Sequence, residues 1–240
     1  MTKKMTTAIA RKYVERIEPL NGQIGDVHAE IAQEYSSGDR SVIAALYIET
    51  DGCYSGLAGV DPWDIGRDAR LYSGPYPVVA HPPCDRWCKM APVNQARYGH
   101  KIGDDGGCFA SALAAVRQWG GVLEHPAKSL AWPAFGLPEP VPGGWHRSFC
   151  GGWVAEIEQR NYGHRARKST WLYAFGVEPP SLIWTRAPKP EAWISTDRPR
   201  AKLAAMGIGQ LSKREAKATP HAFRDLLIGI ARSALKAEAA

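Results

Sequence analysis

The chain has 240 residues, of which 45% are hydrophobic and 22% are charged. This composition is typical of an ordered globular protein and excludes a disordered tail or a fibrous repeat. The formal net charge of +6 suits a polyanionic partner such as nucleic acid, although a solvated basic surface has the same composition.

The cysteine count is odd, with thiols at Cys53, Cys84, Cys88, Cys108 and Cys150. Residues 1–10 are polar and lack the apolar segment of a secretory signal. No window approaches the roughly 18 apolar residues that a membrane helix needs. We therefore expect free thiols in a reducing cytoplasm, and no membrane partner.

Residues 1–40 are charged and show helical periodicity over residues 8–17 and 27–34, with a break at Pro19-Leu20-Asn21-Gly22. The pattern predicts an N-terminal helical segment. A single α/β domain is then expected over residues 41–240.

Four continuous apolar runs follow, at residues 41–48, 77–80, 120–123 and 169–175. Such runs are typical of strands buried on both faces of a parallel sheet. Residues 106–119 form an amphipathic helix between the second and third runs, which makes a right-handed βαβ unit. Residues 131–152 and 179–200 are predicted as loops, and residues 220–236 as a final amphipathic helix.

Cys84 follows the second run in the sequence His81-Pro82-Pro83-Cys84. Because proline fixes φ and lacks an N–H, the two prolines predict a rigid, extended exit from the strand. A thiol there would lie at the mouth of a cleft, where a following helix start would favour the thiolate. The alternative is a structural cysteine in a proline turn.

Glu124 ends the third run and precedes His125-Pro126. A carboxylate at a buried strand end is costly without a partner or a task. Burial would raise its pKa and suit it to holding or protonating a ring nitrogen. The alternative is a salt bridge to a neighbouring arginine.

Arg165 and Arg167 lead into the fourth run, directly after His164. Because strand side chains alternate, an Arg-x-Arg segment entering a strand places both guanidinium groups on one face. Two such cations suit a phosphate or a pyrimidine carbonyl. A solvated basic edge is the alternative.

Together these blocks resemble the DNA cytosine-5 methyltransferases. Pro82-Pro83-Cys84 is similar to the Pro-Cys nucleophile block of that family, Glu124-His125-Pro126 to its Glu-Asn-Val block, and Arg165-Ala166-Arg167 to its Arg-x-Arg block. More weakly, Ala218-Thr219-Pro220-His221 occupies the place of its closing motif.

The resemblance implies a Rossmann-like methyltransferase core with a mostly parallel sheet, acting on cytosine in DNA. Cys84 would add to C6, Glu124 would bind N3 and the exocyclic amine, and Arg165 or Arg167 would hold O2. The target base would be flipped out of a duplex. Residues Pro82, Pro83, His125 and His164 would line the substrate site.

The resemblance also implies S-adenosylmethionine as methyl donor, with residues 48–56 in the place of the cofactor loop and Asp51, Asp61 or Asp64 as ligands. Only 81 − 48 = 33 positions separate Ile48 from His81, so the cofactor half of the core is expected to be reduced. A short insert over residues 177–211 stands where the target-recognition domain would lie. The chain is thus similar to a minimal, phage-type member.

Two other readings of the sequence remain open. One is a zinc site of His81, Cys84 and Cys88 with Cys53 or Cys108, or more specifically a zinc-dependent base deaminase that also uses His28-Ala29-Glu30. The other is a catalytically inactive methyltransferase fold that serves as a nucleic-acid-binding module.

Overall fold

The computed structural model describes residues 42–194, 204–205 and 207–237. The predicted helical segment over residues 1–40 lies outside the described residues. The strands are β1 (Ile43–Leu46), β2 (Val60–Trp63), β3 (Val78–Ala80), β4 (Gly121–Pro126), β5 (His146–Arg147), β6 (Trp153–Glu158), β7 (Ser169–Phe175), β8 (Ala192–Trp193) and β9 (Gly209–Gln210). The α-helices are α1 (Ala91–Tyr98), α2 (Cys108–Trp119), α3 (Ala131–Ala134), α4 (Lys213–Lys217) and α5 (His221–Ala237).

Seven strands form one sheet in the order β2-β1-β3-β4-β7-β6-β5, and β8 pairs with β9 separately. The pairs β2/β1, β1/β3 and β3/β4 are parallel, whereas β7 is antiparallel to both β4 and β6. Strand β6 therefore runs in the same direction as β4, and only β7 and β5 run against the rest. The predicted α/β class with a mostly parallel sheet is confirmed, and the topology is compatible with a Rossmann-like fold.

The four apolar runs become β1, β3, β4 and β7, and the predicted βαβ helix becomes α2. Strands β2 and β6 were not predicted. Pro62 obscures the strand signal of β2, and burial along β6 does not alternate regularly between successive residues. The region predicted as a loop over residues 131–152 contains the short elements α3 and β5.

The sheet is covered by a helix on each face. Val78 packs on the side of α2 with Phe109, whereas its neighbour Val79 packs on the side of α5 with Phe223 and Leu227. Burial of successive residues on opposite faces explains why the strands are continuous apolar runs instead of alternating ones. No helix in the described part of the chain is long and apolar enough to cross a membrane.

Strands β3 and β4 approach each other closely at Gly121. Its φ is +122°, and a Cβ there would lie 2.0 Å from the carbonyl oxygen of Val78. Only glycine meets both requirements, since other residues rarely adopt this conformation. The approach fixes the relative position of the two strands that carry His81 and Glu124.

Candidate functional site

The carboxyl ends of β1, β3 and β4 open into a cleft of about 1450 Å³. Its walls come from most of the loop of residues 47–54, from residues 81–85 and 88–90 after β3, and from residues 210–219, which include α4. In open α/β sheets this edge is where ligands bind, because the loops that follow parallel strands converge there. The cleft is therefore the candidate site.

His81 and Glu124 form a pair at the base of this cleft. Nδ1 of His81 donates to Oε2 of Glu124 over 2.9 Å, and 13% and 11% of the two side chains remain exposed. His81 directly follows β3 and Glu124 lies in β4, so the parallel pairing of the two strands brings the side chains together. The partner of Glu124 is thus a histidine and not the arginine that the sequence suggested.

Further polar groups extend this pair in both directions. The hydroxyl of buried Tyr54 lies 2.9 Å from Nε2 of His81. On the other side, Nε2 of Gln159 donates to Oε1 of Glu124 over 3.2 Å and to the hydroxyl of Thr170 over 2.8 Å. The carboxylate is therefore held in one orientation from two sides, which is how a binding or catalytic group is preorganised.

The pKa of Glu124 falls below its ordinary value. Burial alone would raise it, but the hydrogen bond from His81 and the charges of His81 and Lys168 outweigh that effect. The raised pKa expected from the sequence is therefore wrong, since the sequence did not reveal these two partners. Glu124 is an ionised hydrogen-bond acceptor at neutral pH.

Cys84 lines the same cleft, as do Pro82 and Pro83. Burial raises the pKa of its thiol to about 11, and the charges of Asp85, Cys88 and Glu124 act in the same direction. The expectation that a helix start favours the thiolate is wrong, because Cys84 begins a turn to Cys88 and α1 begins only at Ala91. The thiol is protonated in the free protein.

Lys168 is a cleft residue to which the sequence analysis gave no role. Its Nζ donates to the carbonyl oxygens of Lys217 and Ala218 over 3.1 and 3.2 Å. Burial lowers its pKa, while the charges of Glu124 and Cys84 oppose that effect. An ammonium group thus lies within electrostatic range of both Cys84 and Glu124.

The two predicted arginines are separated in the structure. Arg167 lines the cleft, whereas Arg165 lies outside it and donates to Oε1 of Glu215 over 3.1 Å. Both precede β7 instead of entering it, and the residue between them, Ala166, is fully buried. His164 is also buried outside the cleft, where its ring accepts from the backbone N–H of Ala166.

His125 is not brought into the cleft. It follows Glu124 in the strand, so its side chain lies on the opposite face and is fully buried. Its Nδ1 is 2.7 Å from the hydroxyl of Ser129, and its ring stacks on Trp132 and meets the edge of Phe109. Burial lowers the pKa of His125 from 6.5 to about 4, against the opposing charge of Glu124.

This burial makes stability depend on pH. Above pH 6.5 His125 is neutral in both states, but below it only the unfolded chain takes up a proton, so stability falls until the pH nears 4. Between pH 7 and 5 we expect wild type to lose about 2 kcal/mol more unfolding free energy than His125→Phe. Urea unfolding at both pH values measures this difference. Equal losses in the two proteins would contradict the assignment.

The three candidate cofactor carboxylates also differ in placement. Asp51 lines the cleft. Asp61 and Asp64 lie at β2 outside it. Asp61 accepts from Trp63 and Arg67, while Asp64 accepts from the hydroxyl of Thr50 over 2.8 Å.

The zinc alternative finds no cluster in the described residues, where no three His, Cys, Asp or Glu side chains are placed to share a metal ion. Cys53, Cys84 and Cys88 line the cleft as free thiols. His28 and Glu30, required by the deaminase alternative, lie outside the described residues.

The structure places the predicted residues Cys84 and Glu124 in one cleft, but the groups that hold Glu124 were not predicted. His81 could have been found, since it directly follows a strand predicted to be parallel to the one that carries Glu124. Gln159 and Thr170 could not, because their positions depend on the register between β6 and β7.

Comparison of the chain with protein-family models, with curated proteins and with solved structures gave no match.

Proposed function

We propose that the protein acts on cytosine in DNA, through a covalent bond between Cys84 and C6 of the base that activates C5. The observation that carries the proposal is that Cys84 and an orientated, ionised Glu124 share one cleft, at the ends of adjacent parallel strands. The resemblance of the sequence blocks and a topology compatible with a Rossmann-like fold support it.

Each polar group has a role in this proposal. The Glu124 carboxylate accepts a hydrogen bond from the exocyclic amine, which distinguishes cytosine from thymine, whose carbonyl cannot donate. Negative charge develops at N3 of the cytosine when Sγ bonds to C6. The proton in the hydrogen bond between His81 and Glu124 offsets this charge. The Lys168 ammonium takes O2, the role that the resemblance gives to Arg165 or Arg167, because Lys168 lies within range of both Glu124 and Cys84.

The covalent step divides a difficult substitution into two parts. The thiol loses its proton to solvent, and Sγ bonds to C6 while the C5–C6 double bond becomes a nucleophilic C5. That carbon takes up either a proton from solvent or a one-carbon group, whose leaving group departs with the electron pair of the bond that breaks. The original C5 proton is then lost to solvent, the Sγ–C6 bond breaks to restore the ring, and the thiolate takes up a proton from solvent.

The described residues do not form a matched site for S-adenosylmethionine. Two of the three candidate carboxylates, Asp61 and Asp64, lie outside the cleft and are already engaged. In the loop after β1, a Cβ at Gly52 would lie 2.9 Å from the carbonyl oxygen of Glu49, so this glycine serves the turn itself. These positions do not fit the cofactor, and the electrophile in the proposed reaction is a one-carbon donor of another kind or at another site.

Exchange of the C5 proton tests the covalent step without any donor. In D₂O, wild type is expected to place deuterium at C5 of cytosine in an oligonucleotide, as measured by mass spectrometry of the released nucleosides. With 5-fluorocytosine, a C5 that has taken up the one-carbon group has no proton to lose, so in the presence of the donor wild type is expected to form an adduct with the thiol that survives denaturation. Absence of both exchange and adduct with single-stranded, duplex and mononucleotide substrates would reject the proposal.

One observation favours a second candidate, a nucleic-acid-binding module without catalysis. A thiol with a pKa of about 11 is almost entirely protonated at neutral pH, whereas the thiolate is the nucleophile. A protein that only binds DNA does not need a thiolate, so the protonated thiol agrees with a binding role. In that case DNA binding would survive in Cys84→Ser, and wild type would show neither exchange nor adduct.

A further inference from the structure

A second, smaller pocket of about 240 Å³ adjoins the cleft. Glu158, Arg167 and Ser169 line both cavities and form a short ridge between them. The far wall of the smaller pocket is formed by residues 183–187. We call it the side pocket.

Two arginines face the side pocket, Arg167 on the ridge and Arg186 on the far wall. Both are exposed, and neither has an ion pair or hydrogen-bond partner within the described parts of the chain. A guanidinium group without a partner is suited to bind phosphate through two parallel hydrogen bonds.

The carboxylates of the side pocket are already engaged. Glu158 accepts from the backbone N–H of Lys168 and, over 3.1 Å, from the hydroxyl of Ser169. Glu156 accepts from the indole N–H of Trp171 over 2.8 Å. These internal bonds leave the two arginines as the groups available to an incoming anion.

The far wall is held in place before any ligand binds. Nδ2 of Asn161 donates to the carbonyl oxygen of Thr185 over 3.1 Å, and the backbone N–H of Ile183 donates to the hydroxyl of Tyr162 over 2.9 Å. Trp184, which lies between these anchored residues, lines the pocket and is partly buried against the apolar cluster on the α5 side of the sheet. Aromatic side chains of this kind stack with nucleobases irrespective of sequence.

We propose that the side pocket binds the nucleotide adjacent to the one that reacts in the cleft. Arg167 and Arg186 bind the intervening phosphodiester, and the neighbouring base lies against Trp184. A volume of about 240 Å³ suits one base, being below the roughly 300–1,000 Å³ of pockets for drug-sized ligands. The inference rests on the proposed function and adds to it binding of the phosphate and the base next to the reacting cytosine.

Two unpaired cations in the main cleft are suited to a strand that continues past the reacting base. Lys213 and Arg214 of α4 line the cleft and are exposed, and the described residues provide no partner for either side chain. Unpaired cations of this kind bind phosphates without reading the base sequence.

The test compares binding of hexadeoxycytidylate with binding of deoxycytidine, which has no phosphate, by wild type and Arg186→Gln. We expect Arg186→Gln to weaken binding of the hexamer about tenfold, as for loss of one charged hydrogen-bonding partner, and to leave deoxycytidine binding unchanged. The slope of log Kd against log salt concentration should become shallower by about 0.7, the value for one phosphate of a single strand. Arg97→Gln on α1, outside both pockets, is the matched control and should change neither measurement.

Equal affinities of Arg186→Gln and wild type for the hexamer would overturn the side-pocket proposal, as would exchange at C5 that is as efficient with deoxycytidine as with the hexamer. The latter result would leave the proposed chemistry intact. Conversely, hexamer binding that depends on Arg186 without exchange on any substrate would retain the side pocket and reject the chemistry.

Discussion

Replacing Cys84 with serine is expected to abolish the 5-fluorocytosine adduct and to slow C5 proton exchange by at least about 10³-fold, as for loss of a covalent nucleophile. The serine hydroxyl is nearly the same size but is a far weaker nucleophile, so the fold and substrate binding should persist. The measurement is the initial rate of deuterium incorporation at saturating oligonucleotide, with binding followed separately by fluorescence anisotropy.

Cys88→Ser is the matched control for this experiment. Cys88 lines the same cleft, four residues from Cys84 in the same turn, but has no role in the proposed step. A loss of exchange in Cys88→Ser equal to that in Cys84→Ser would show that the turn, and not the thiol of Cys84, is what matters.

The pH dependence of adduct formation gives an independent reading of the same thiol. Because burial raises the pKa of Cys84 to about 11, the thiolate fraction increases about tenfold per pH unit throughout the neutral range. A rate that is already constant at pH 7 would show that bound substrate has changed the surroundings of the thiol.

Replacing Glu124 with glutamine is expected to lower the turnover number for exchange by about 10²–10³-fold, the range for loss of one preorganised electrostatic contact to the reacting group. The amide oxygen still accepts from His81 Nδ1, but the negative charge that pairs with His81 is lost, and Gln159 must turn its own amide so that its oxygen accepts from the new NH2 group. The expected signature is a large fall in kcat with a smaller change in KM.

Glu49→Gln is the control for the charge itself. Glu49 is exposed and lines the cleft, and the charge change is identical to that in Glu124→Gln. If both variants lost activity equally, the effect would come from the overall charge of the cleft and not from the position of Glu124. An unchanged rate in Glu124→Gln would remove it from the mechanism.

The sequence predicted the central strands because they are buried on both faces and therefore appear as continuous apolar runs. Placing β3 and β4 side by side was enough to put Cys84 and Glu124 at one edge of the sheet. The sequence did not predict that β7 runs antiparallel to β4, since burial patterns carry no information on strand direction. The register of β6 against β7, which places Gln159 next to Glu124, was not predicted either, because burial patterns do not determine which residues pair.

The basic block before β7 shows a different limit of sequence reasoning. Alternation along a strand would place Arg165 and Arg167 on one face, but the segment is irregular and lies ahead of the strand. Arg165 instead pairs with Glu215, a residue 50 positions away in the chain. The basic residues of this block that line the cleft are Arg167 and Lys168. Such pairing depends on tertiary structure and not on local pattern.

The edge strand β2 has a consequence for self-association. The carbonyl oxygens of Gly59 and Trp63 accept from β1, so Val60 and Pro62 face outward. The N–H of Val60 donates to the carbonyl oxygen of Leu57, and proline has no N–H, so these two outward positions offer no free backbone donor. Edge strands are where sheets of separate molecules join into aggregates, and a proline there blocks such joining. Pro62, which obscures the strand signal of β2 in the sequence, thus protects this edge of the described sheet against pairing with another molecule.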